Sequence, residues 1–268
     1  KNSMVKNVAL VDNELQGTQC TTNKGASGFG KFGNLPKPTV INWTTHKDYD
    51  LFIGKHDGFD NVGVSYSRQV ISVKNDFWIV KDNFSSDQEH EYKQVWQGHY
   101  TNENGSNLLR ATAPDASGHD ILQLYATDTV ITSGSRGKNW SQVSKLNEKN
   151  FSFLTLIYPY KGYDNRIDET SETLNLNEWN INASLSKIQN AGYTIISKEN
   201  TAYFFNANNI LFKELSVRTS KNADFIIQKV GNTYRITSTS ADENSFTVSK
   251  LKSPEETKTL LPGETWEL

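Results

Sequence analysis

The sequence predicts an all-β protein: an antiparallel β-sandwich of the super-sandwich type, followed by a small C-terminal β unit. Short segments of alternating polar and apolar residues recur along the chain, and turn residues separate them. No stretch has the period of an amphipathic helix of ordinary length; residues 173–188 come nearest, but their asparagines favour strand and loop. Many short strand patterns separated by turn residues favour a sandwich over alternating βαβ units.

The N-terminal part carries the clearest strand patterns. Residues 63–73 and 77–82 are separated by the polar turn Lys74-Asn75-Asp76, which predicts a hairpin. Residues 90–97 predict a separate, half-buried strand with Tyr92 and Trp96 on one face. Further strands are predicted over 8–11, 107–113, 120–125 and 151–158.

The character of the chain changes past Gly192, so we predict a sandwich domain over residues 1–192 and a small β domain over 193–268. A Pro262-Gly263 turn precedes a closing strand. The other strands predicted in this part are 194–197, 202–206, 225–230, 234–238 and 245–251.

Composition excludes several classes of protein. The 268 residues include 28 Lys+Arg and 30 Asp+Glu, a formal net charge of -2, so we expect no nucleic-acid partner held by a large basic field. The single cysteine, Cys20, cannot form an internal disulfide or a zinc finger. The apolar run at residues 8–11 is too short for a membrane span, and we expect none.

Four segments, in this order, resemble the C-terminal β-sandwich of heparinase II/III-like polysaccharide lyases, with the heparinase III-like branch nearest. They cover roughly residues 5–165. The segments are 5–14, 56–70 with its His56-Asp57-Gly58-Phe59, 77–96 with its Glu89-His90-Glu91-Tyr92, and 153–160, which ends Ile157-Tyr158-Pro159-Tyr160.

The resemblance implies a secreted or periplasmic enzyme that cleaves a uronate-containing acidic polysaccharide by β-elimination. That reaction needs a group that neutralises the carboxylate, a base for the C5 proton and an acid for the leaving oxygen. In the family these groups lie mainly in an N-terminal (α/α) toroid, which this sequence does not contain. We therefore expect no principal catalytic residue here, no lyase activity from this chain alone, and a toroid of the same parent protein as its partner. Whether the chain is a fragment or a mature product stays open.

The resemblance also bears on metal content. Lys6 stands where the family strand begins with a histidine that is commonly a ligand of a structural zinc. An ammonium group cannot coordinate a metal unless it loses its proton. The usual zinc site is therefore in doubt, and we expect no cofactor.

The candidate substrate-binding residues are Lys6, Asn7, His99, Arg136, Lys138 and Trp140. Lys6 and Asn7 occupy the position at which the family places a residue near the cleft; the alternative is an ordinary exposed strand residue. His99, at the end of a strand, is a better cleft candidate than His90. In the loop over 133–140, two cations and one tryptophan suit a charged sugar, whereas the alternative is a solvated hairpin loop.

Two other classes of function remain open. A non-catalytic carbohydrate-binding module would present an aromatic platform built from Trp43, Trp140 or Trp179, although a lone aromatic near a strand more often belongs to the core. A purely structural β protein would need none of these residues for activity.

Overall fold

The structure is a computed structural model that describes residues 7–13, 23–24, 30–31, 36–102, 107–125, 127–135, 138–168, 174–182, 193–250 and 253–268. The side chains of residues 23–24, 30–31, 131–135 and 138 are not described. Two 3-10 turns, Asp60–Val62 and Tyr163–Asn165, are the helical elements of these residues. No helix in the described part of the chain is long and apolar enough to cross a membrane.

The described residues form twenty strands. They are β1 (Val8–Val11), β2 (Asn23–Lys24), β3 (Gly30–Lys31), β4 (Pro38–Thr45), β5 (Tyr49–His56), β6 (Ser65–Val73), β7 (Phe77–Gln97), β8 (Leu108–Thr112), β9 (Ser117–Gln123), β10 (Thr129–Ser135), β11 (Lys138–Lys161), β12 (Leu174–Leu176), β13 (Trp179–Ile181), β14 (Thr194–Lys198), β15 (Thr201–Phe212), β16 (Leu215–Val230), β17 (Thr233–Ser238), β18 (Asn244–Lys250), β19 (Glu256–Leu260) and β20 (Thr265–Glu267).

Two nine-stranded sheets contain nearly all of these strands. The first has the order β4-β5-β6-β7-β11-β9-β8, with β1 paired to β7 and β10 paired to β11. The second has the order β12-β13-β14-β15-β16-β17-β20, with β18 between β16 and β19, and β2 and β3 form a separate pair. The ladders are antiparallel, for example between β7 and β11 and between β15 and β16. The predicted fold class, an all-β antiparallel sandwich, is confirmed.

The chain divides into two compact units. Unit 1 comprises residues 1–40, 54–68 and 77–166, and unit 2 comprises residues 41–53, 69–76 and 167–268. The domain boundary predicted at residue 192 falls within 183–192, outside the described residues. That boundary stays a prediction.

Strand β7 differs from the sequence prediction in two ways. Residues 77–82 and 90–97 belong to one strand of 21 residues, because the polar stretch between them continues the backbone ladder with β11. The register shifts where Ser85 lies opposite Asn150 and His90 opposite Glu148, which marks a β-bulge. Residues 92–96 are all buried, so the prediction of a half-buried strand was wrong at this point. Both faces of β7 are covered there.

Aromatic rings fill the core of unit 1. Phe84 stacks on Tyr92 with 4.5 Å between ring centroids and meets Phe153 edge-on at 6.1 Å. Phe59 and Tyr66 extend the cluster, with 5.6 Å between their centroids. All five side chains are buried, and each such ring removes a large apolar area from water.

Unit 2 contains the sheet-on-sheet packing of the sandwich. Its core joins apolar residues of β15 to β19, where Phe204 stacks on Phe225 at 5.0 Å. Tyr49 of β5 packs edge-on against Tyr203 of β15 with 6.3 Å between centroids. The side-chain amide of Gln69 in β6 donates to the carbonyl of Thr239 at 2.6 Å. The strands predicted after residue 193 are all present.

Candidate functional site

The end of β7 and the start of β11 meet at one edge of unit 1. Trp140 lies directly opposite Gln97 in the ladder, and the Gly98 N–H donates to the carbonyl of Asn139 at 2.9 Å. We call the region formed by Asn7, residues 97–100 and residues 139–140 the Gln97 end. It brings together three of the six predicted substrate-binding residues: Asn7, His99 and Trp140.

Two side chains of the Gln97 end are placed to contact a solute. His99 is exposed, and its Nδ1 accepts a hydrogen bond from the side-chain amide of Asn139. Trp140 is half-buried and follows Asn139 in β11. The imidazole and the amide at this strand end are polar groups that can bind a polar ligand, whereas Trp140 points to the opposite face of β11 from Asn139.

Asn7 has a positioning role at this end. Its Oδ1 accepts the Gln97 N–H at 2.7 Å, and its carbonyl accepts a hydrogen bond from Nη1 of Arg68 at 3.2 Å. The residue is exposed, as predicted, yet both of its oxygens are used within unit 1. Asn7 therefore ties the chain before β1 to the end of β7.

Tyr100 and His119 form a polar pair beside the Gln97 end. Their rings meet edge-on at 5.5 Å, and the Tyr100 hydroxyl lies 3.0 Å from Nε2 of His119 and 3.4 Å from the carbonyl oxygen of Gln97. Burial lowers the pKa of His119 and raises the pKa of Tyr100, so both side chains are neutral at pH 7. Gly98 allows this packing, because a Cβ there would lie 2.7 Å from Cε2 of Tyr100.

A buried hydrogen-bond network holds the strands behind the site. Asp82 is fully buried and accepts hydrogen bonds from Arg68, from Tyr66 at 2.6 Å and from Gln94 at 2.8 Å. Burial by itself would raise the pKa of Asp82, but the Arg68 guanidinium and these hydrogen bonds hold it below its ordinary value. Oε1 of Gln94 accepts further hydrogen bonds from Trp96, Gln123 and Thr155. The Asp82 carboxylate is therefore ionised, and its role is to hold these strands together.

Of the other three predicted binding residues, the structure describes only the backbone of Lys138. Lys6 and Arg136 lie outside the described residues. Lys138 begins β11 opposite Ser135, and its side chain is not described. Within the segment 133–140, in which a long loop was considered, residues 133–135 of β10 pair with residues 138–140 of β11, so these residues are strand rather than loop. The backbone ladder continues through the glycine- and serine-rich sequence that suggested a loop.

His90 belongs to a different cluster. Its Nδ1 lies 2.6 Å from Oδ2 of Asp12, and its Nε2 lies 3.1 Å from the hydroxyl of Ser86. Ser86 also accepts the Gln88 N–H at 3.2 Å, and Asp12 accepts the Glu91 N–H at 2.8 Å. These bonds stabilise the β-bulge, as expected of a satisfied histidine, although His90 is buried rather than at the surface.

Metal-ligating side chains do not gather in this structure. Among the described residues, no three His, Cys, Asp or Glu side chains are grouped in a way that could hold a metal ion. The position that prompted the question of zinc, Lys6, lies outside those residues. The described part of the chain therefore assigns no metal ligands.

The tryptophans proposed as sugar platforms have different surroundings. Trp43 in β4 is 70% exposed and meets Phe52 edge-on, so the core interpretation was wrong for this residue. Trp179 in β13 is only 5% exposed, and its indole N–H donates to Asp76 at 3.0 Å. Trp179 therefore cannot serve as an open platform.

Asn139, Tyr100 and His119 were not predicted as site residues. Asn139 precedes Trp140 and Tyr100 follows His99, so adjacency to a candidate was a signal in the sequence. His119 carried no such signal, because it is brought to Tyr100 from β9 by the fold.

The class of protein that this fold defines is an antiparallel β-sandwich, and its fold resembles part of a heparan sulfate lyase structure. Heparan sulfate lyase HepC from Pedobacter heparinus matches with a TM-score of 0.50 and 14% identity, over 76% of this chain and 29% of that chain. At this identity the likeness shows the fold alone.

Two further structures match over most of this chain. A mutant of heparan sulfate lyase HepC from Pedobacter heparinus has a TM-score of 0.49 and 11% identity, over 98% of this chain and 31% of that chain. A heparinase III has a TM-score of 0.46 and 12% identity, over 98% of this chain and 29% of that chain. The chain thus spans 29% to 31% of the length of these proteins. No family model and no curated protein sequence matches it.

Proposed function

We propose that this chain is the C-terminal β-sandwich part of a polysaccharide lyase that cleaves a uronate-containing acidic polysaccharide by β-elimination. In this proposal the Gln97 end forms one wall of the substrate cleft. The main catalytic residues lie in an N-terminal (α/α) toroid of a longer parent protein, which is secreted or periplasmic.

The observation that carries the proposal is the convergence of Asn7, His99 and Trp140. Asn7 precedes His99 by 92 positions and His99 precedes Trp140 by 41, yet the β7–β11 register and the hydrogen bond from Gln97 to Asn7 bring them to one strand end. The indole of Trp140 would pack on one sugar ring, and on the other face of β11 the imidazole of His99 with the amide of Asn139 would hydrogen-bond hydroxyl or carboxylate groups farther along the polysaccharide. The side chains of Arg136 and Lys138, which are close to Trp140 in the sequence, would pair with sulfate or carboxylate.

The ionisation of the described residues is compatible with a binding role rather than a catalytic one. β-Elimination needs a base for the C5 proton, and a tyrosine serves as base only when its pKa is lowered. Burial raises the pKa of Tyr100 instead, which keeps its hydroxyl protonated. We therefore expect this chain alone to have no lyase activity.

The test is to incubate the 268-residue chain with heparan sulfate, chondroitin sulfate, hyaluronan and alginate, and to follow the absorbance of the unsaturated product. Affinity electrophoresis in gels that contain the same polysaccharides measures binding separately. We expect retention by at least one acidic polysaccharide without turnover. Turnover by the chain alone would contradict the assignment of catalysis to another domain, and absence of retention in all four gels would contradict the cleft wall.

A second candidate function is a carbohydrate-binding module, and the exposure of Trp43 favours it. Because Trp43 is largely exposed, it does not belong to the protein core. An exposed tryptophan on a strand is typical of a surface that stacks on sugars. This function predicts retention in gels of neutral polysaccharides, and predicts that Trp43→Ala abolishes it. The cleft-wall function predicts retention by acidic polysaccharides that Trp43→Ala leaves unchanged.

A further inference from the structure

Unit 2 contains a cavity of about 300 Å³ that lies outside the Gln97 end. Its walls come from the turn between β4 and β5, the turn after β6, β13, and the hairpin of β14 and β15. We call it the Trp179 cavity and define it by Lys47, Asp48, Asp76, Trp179, Lys198 and Tyr203. Its volume is at the lower end of the range for small-molecule sites, so it suits a ligand the size of one sugar ring.

A buried hydroxyl without a partner marks this cavity. Tyr203 is 1% exposed, and no hydrogen-bond partner for its hydroxyl exists among the described residues. Buried hydroxyl groups in native proteins are nearly always hydrogen-bonded, and an orphaned one calls for an explanation. A ligand hydroxyl in the adjoining cavity would supply the missing partner.

The aromatic side of the cavity is held in place by its surroundings. The indole N–H of Trp179 donates to Oδ2 of Asp76 at 3.0 Å, which fixes the ring. The rings of Trp179 and Tyr203 lie 5.6 Å apart and are at most 5% exposed, so they support the cavity from behind rather than forming an open apolar surface. The groups that line the open part of the cavity are mainly polar, which suits a ligand with several hydroxyl groups.

The charges around the cavity balance. Three lysines, Lys47, Lys74 and Lys198, face three carboxylates, Asp48, Asp76 and Glu199. Lys74 and Lys198 form ion pairs with Asp50 and Glu178 at 3.1 Å each. In the described part of the chain Lys47 has no ion-pair partner, so its ammonium remains a hydrogen-bond donor. A balanced set of donors and acceptors attracts an uncharged ligand that both donates and accepts, rather than an anion.

We infer that the Trp179 cavity is a binding site for one uncharged sugar ring, with the Tyr203 hydroxyl and the Lys47 ammonium as hydrogen-bonding groups. This site is separate from the acidic-polysaccharide wall proposed above. The two sites also differ in the ligand proposed for them: an uncharged sugar for the Trp179 cavity and charged sugars for the Gln97 end.

The test is an NMR titration of the 268-residue chain with methyl β-glucoside, methyl N-acetylglucosaminide and methyl glucuronide. We expect the two uncharged glycosides to shift the amide resonances of residues 74–76 and 199–201, and the charged glucuronide to bind more weakly. Tyr203→Phe should weaken binding about three- to tenfold, as expected for the loss of one hydrogen bond. The fold should tolerate this change, because the hydroxyl has no partner in the protein.

One matched control and one further variant complete the design. Tyr234→Phe alters a tyrosine that is equally buried but does not line the cavity, and it should bind the glycosides like the wild type. Lys47→Ala, at an exposed position, should weaken binding without affecting folding. The inference is overturned if neither uncharged glycoside shifts these resonances, or if Tyr203→Phe and Lys47→Ala both bind as tightly as the wild type.

Discussion

The guanidinium of Arg68 binds the carboxylate of Asp82 through two hydrogen bonds, from Nε at 2.6 Å and from Nη2 at 2.8 Å. The third nitrogen, Nη1, donates to the carbonyl of Asn7 at 3.2 Å. One side chain thus joins the buried network of unit 1 to the first residue of the Gln97 end. The geometry requires arginine, because a lysine cannot donate in a planar fork.

Arg68→Ala is expected to destabilise the fold by about 3 kcal/mol, because it leaves the Asp82 carboxylate buried without a counter-charge. Asp82 would keep its hydrogen bonds from Tyr66 and Gln94, which places the loss at the lower end of the range for broken buried pairs. Urea unfolding followed by tryptophan fluorescence measures the change. Adding Asp82→Asn to Arg68→Ala should recover part of the loss; a purely additive double variant would contradict the pairing.

His119 is expected to make stability fall as the pH decreases from 7 to 5. Burial lowers its pKa below 6.5 in the folded state, so the unfolded state binds the proton more tightly. The contribution of neutral His119 is complete above pH 6.5 and is lost as the pH falls toward the lowered folded-state pKa. NMR titration of the His119 ring should give a midpoint below 6.5, and His119→Gln should make the stability less dependent on pH. A midpoint above 6.5 would contradict the burial of this ring.

Gly118→Ala is expected to destabilise unit 1 by about 3 kcal/mol, at the upper end for overpacking. A Cβ at this position would overlap the carbonyl oxygen of Ala111 and lie 2.6 Å from the hydroxyl of Tyr160. The control is Gly231→Ala, which meets nothing within 4 Å and bears only the strain of φ +60°, about 1 kcal/mol. Thermal unfolding measures both variants. Equal losses would show that steric overlap is not the cause, and Tyr160→Phe should not rescue Gly118→Ala because the carbonyl remains.

Trp140→Ala is expected to weaken binding of the acidic polysaccharide that the chain retains by at least about fivefold, or about 1 kcal/mol. The loss follows from removal of the indole at the Gln97 end. Trp78→Ala is the matched control, because Trp78 is 43% exposed and lies near the other end of β7, opposite Ile157. Affinity electrophoresis compares the two variants. The same loss of retention in both would place the contact elsewhere.

Alternation and turn residues predicted most strands, including the hairpin at Lys74-Asn75-Asp76, where Asn75 adopts φ 68°. The continuity of β7 was missed, because residues 83–89 are polar except for Phe84, and the place of residues 83–85 in the ladder depends on backbone pairing with β11. The periodicity of side chains in the sequence does not reveal backbone pairing of this kind.

The candidate site shows the same limit of sequence reasoning. His99 and Trp140 were identified by residue type, whereas the contact between His99 and Asn139 depends on the register between two strands about 40 positions apart in sequence. The burial of His119 against Tyr100 depends on β9, which the pattern placed only as a strand. The local sequence predicts that a segment forms a strand, whereas pairing between strands that are distant in sequence determines which residues its side chains contact.

The bulge in β7 has a consequence for how the chain can change in length. A residue inserted between Tyr92 and Gln97 would invert the two faces of the strand and shift Trp140 away from Gln97, so both the core and the Gln97 end would be lost. At residues 86–89 the ladder is already interrupted, and an extra residue would only enlarge the protruding segment. Related chains can therefore vary in length at the bulge while the register of the strand end stays constant.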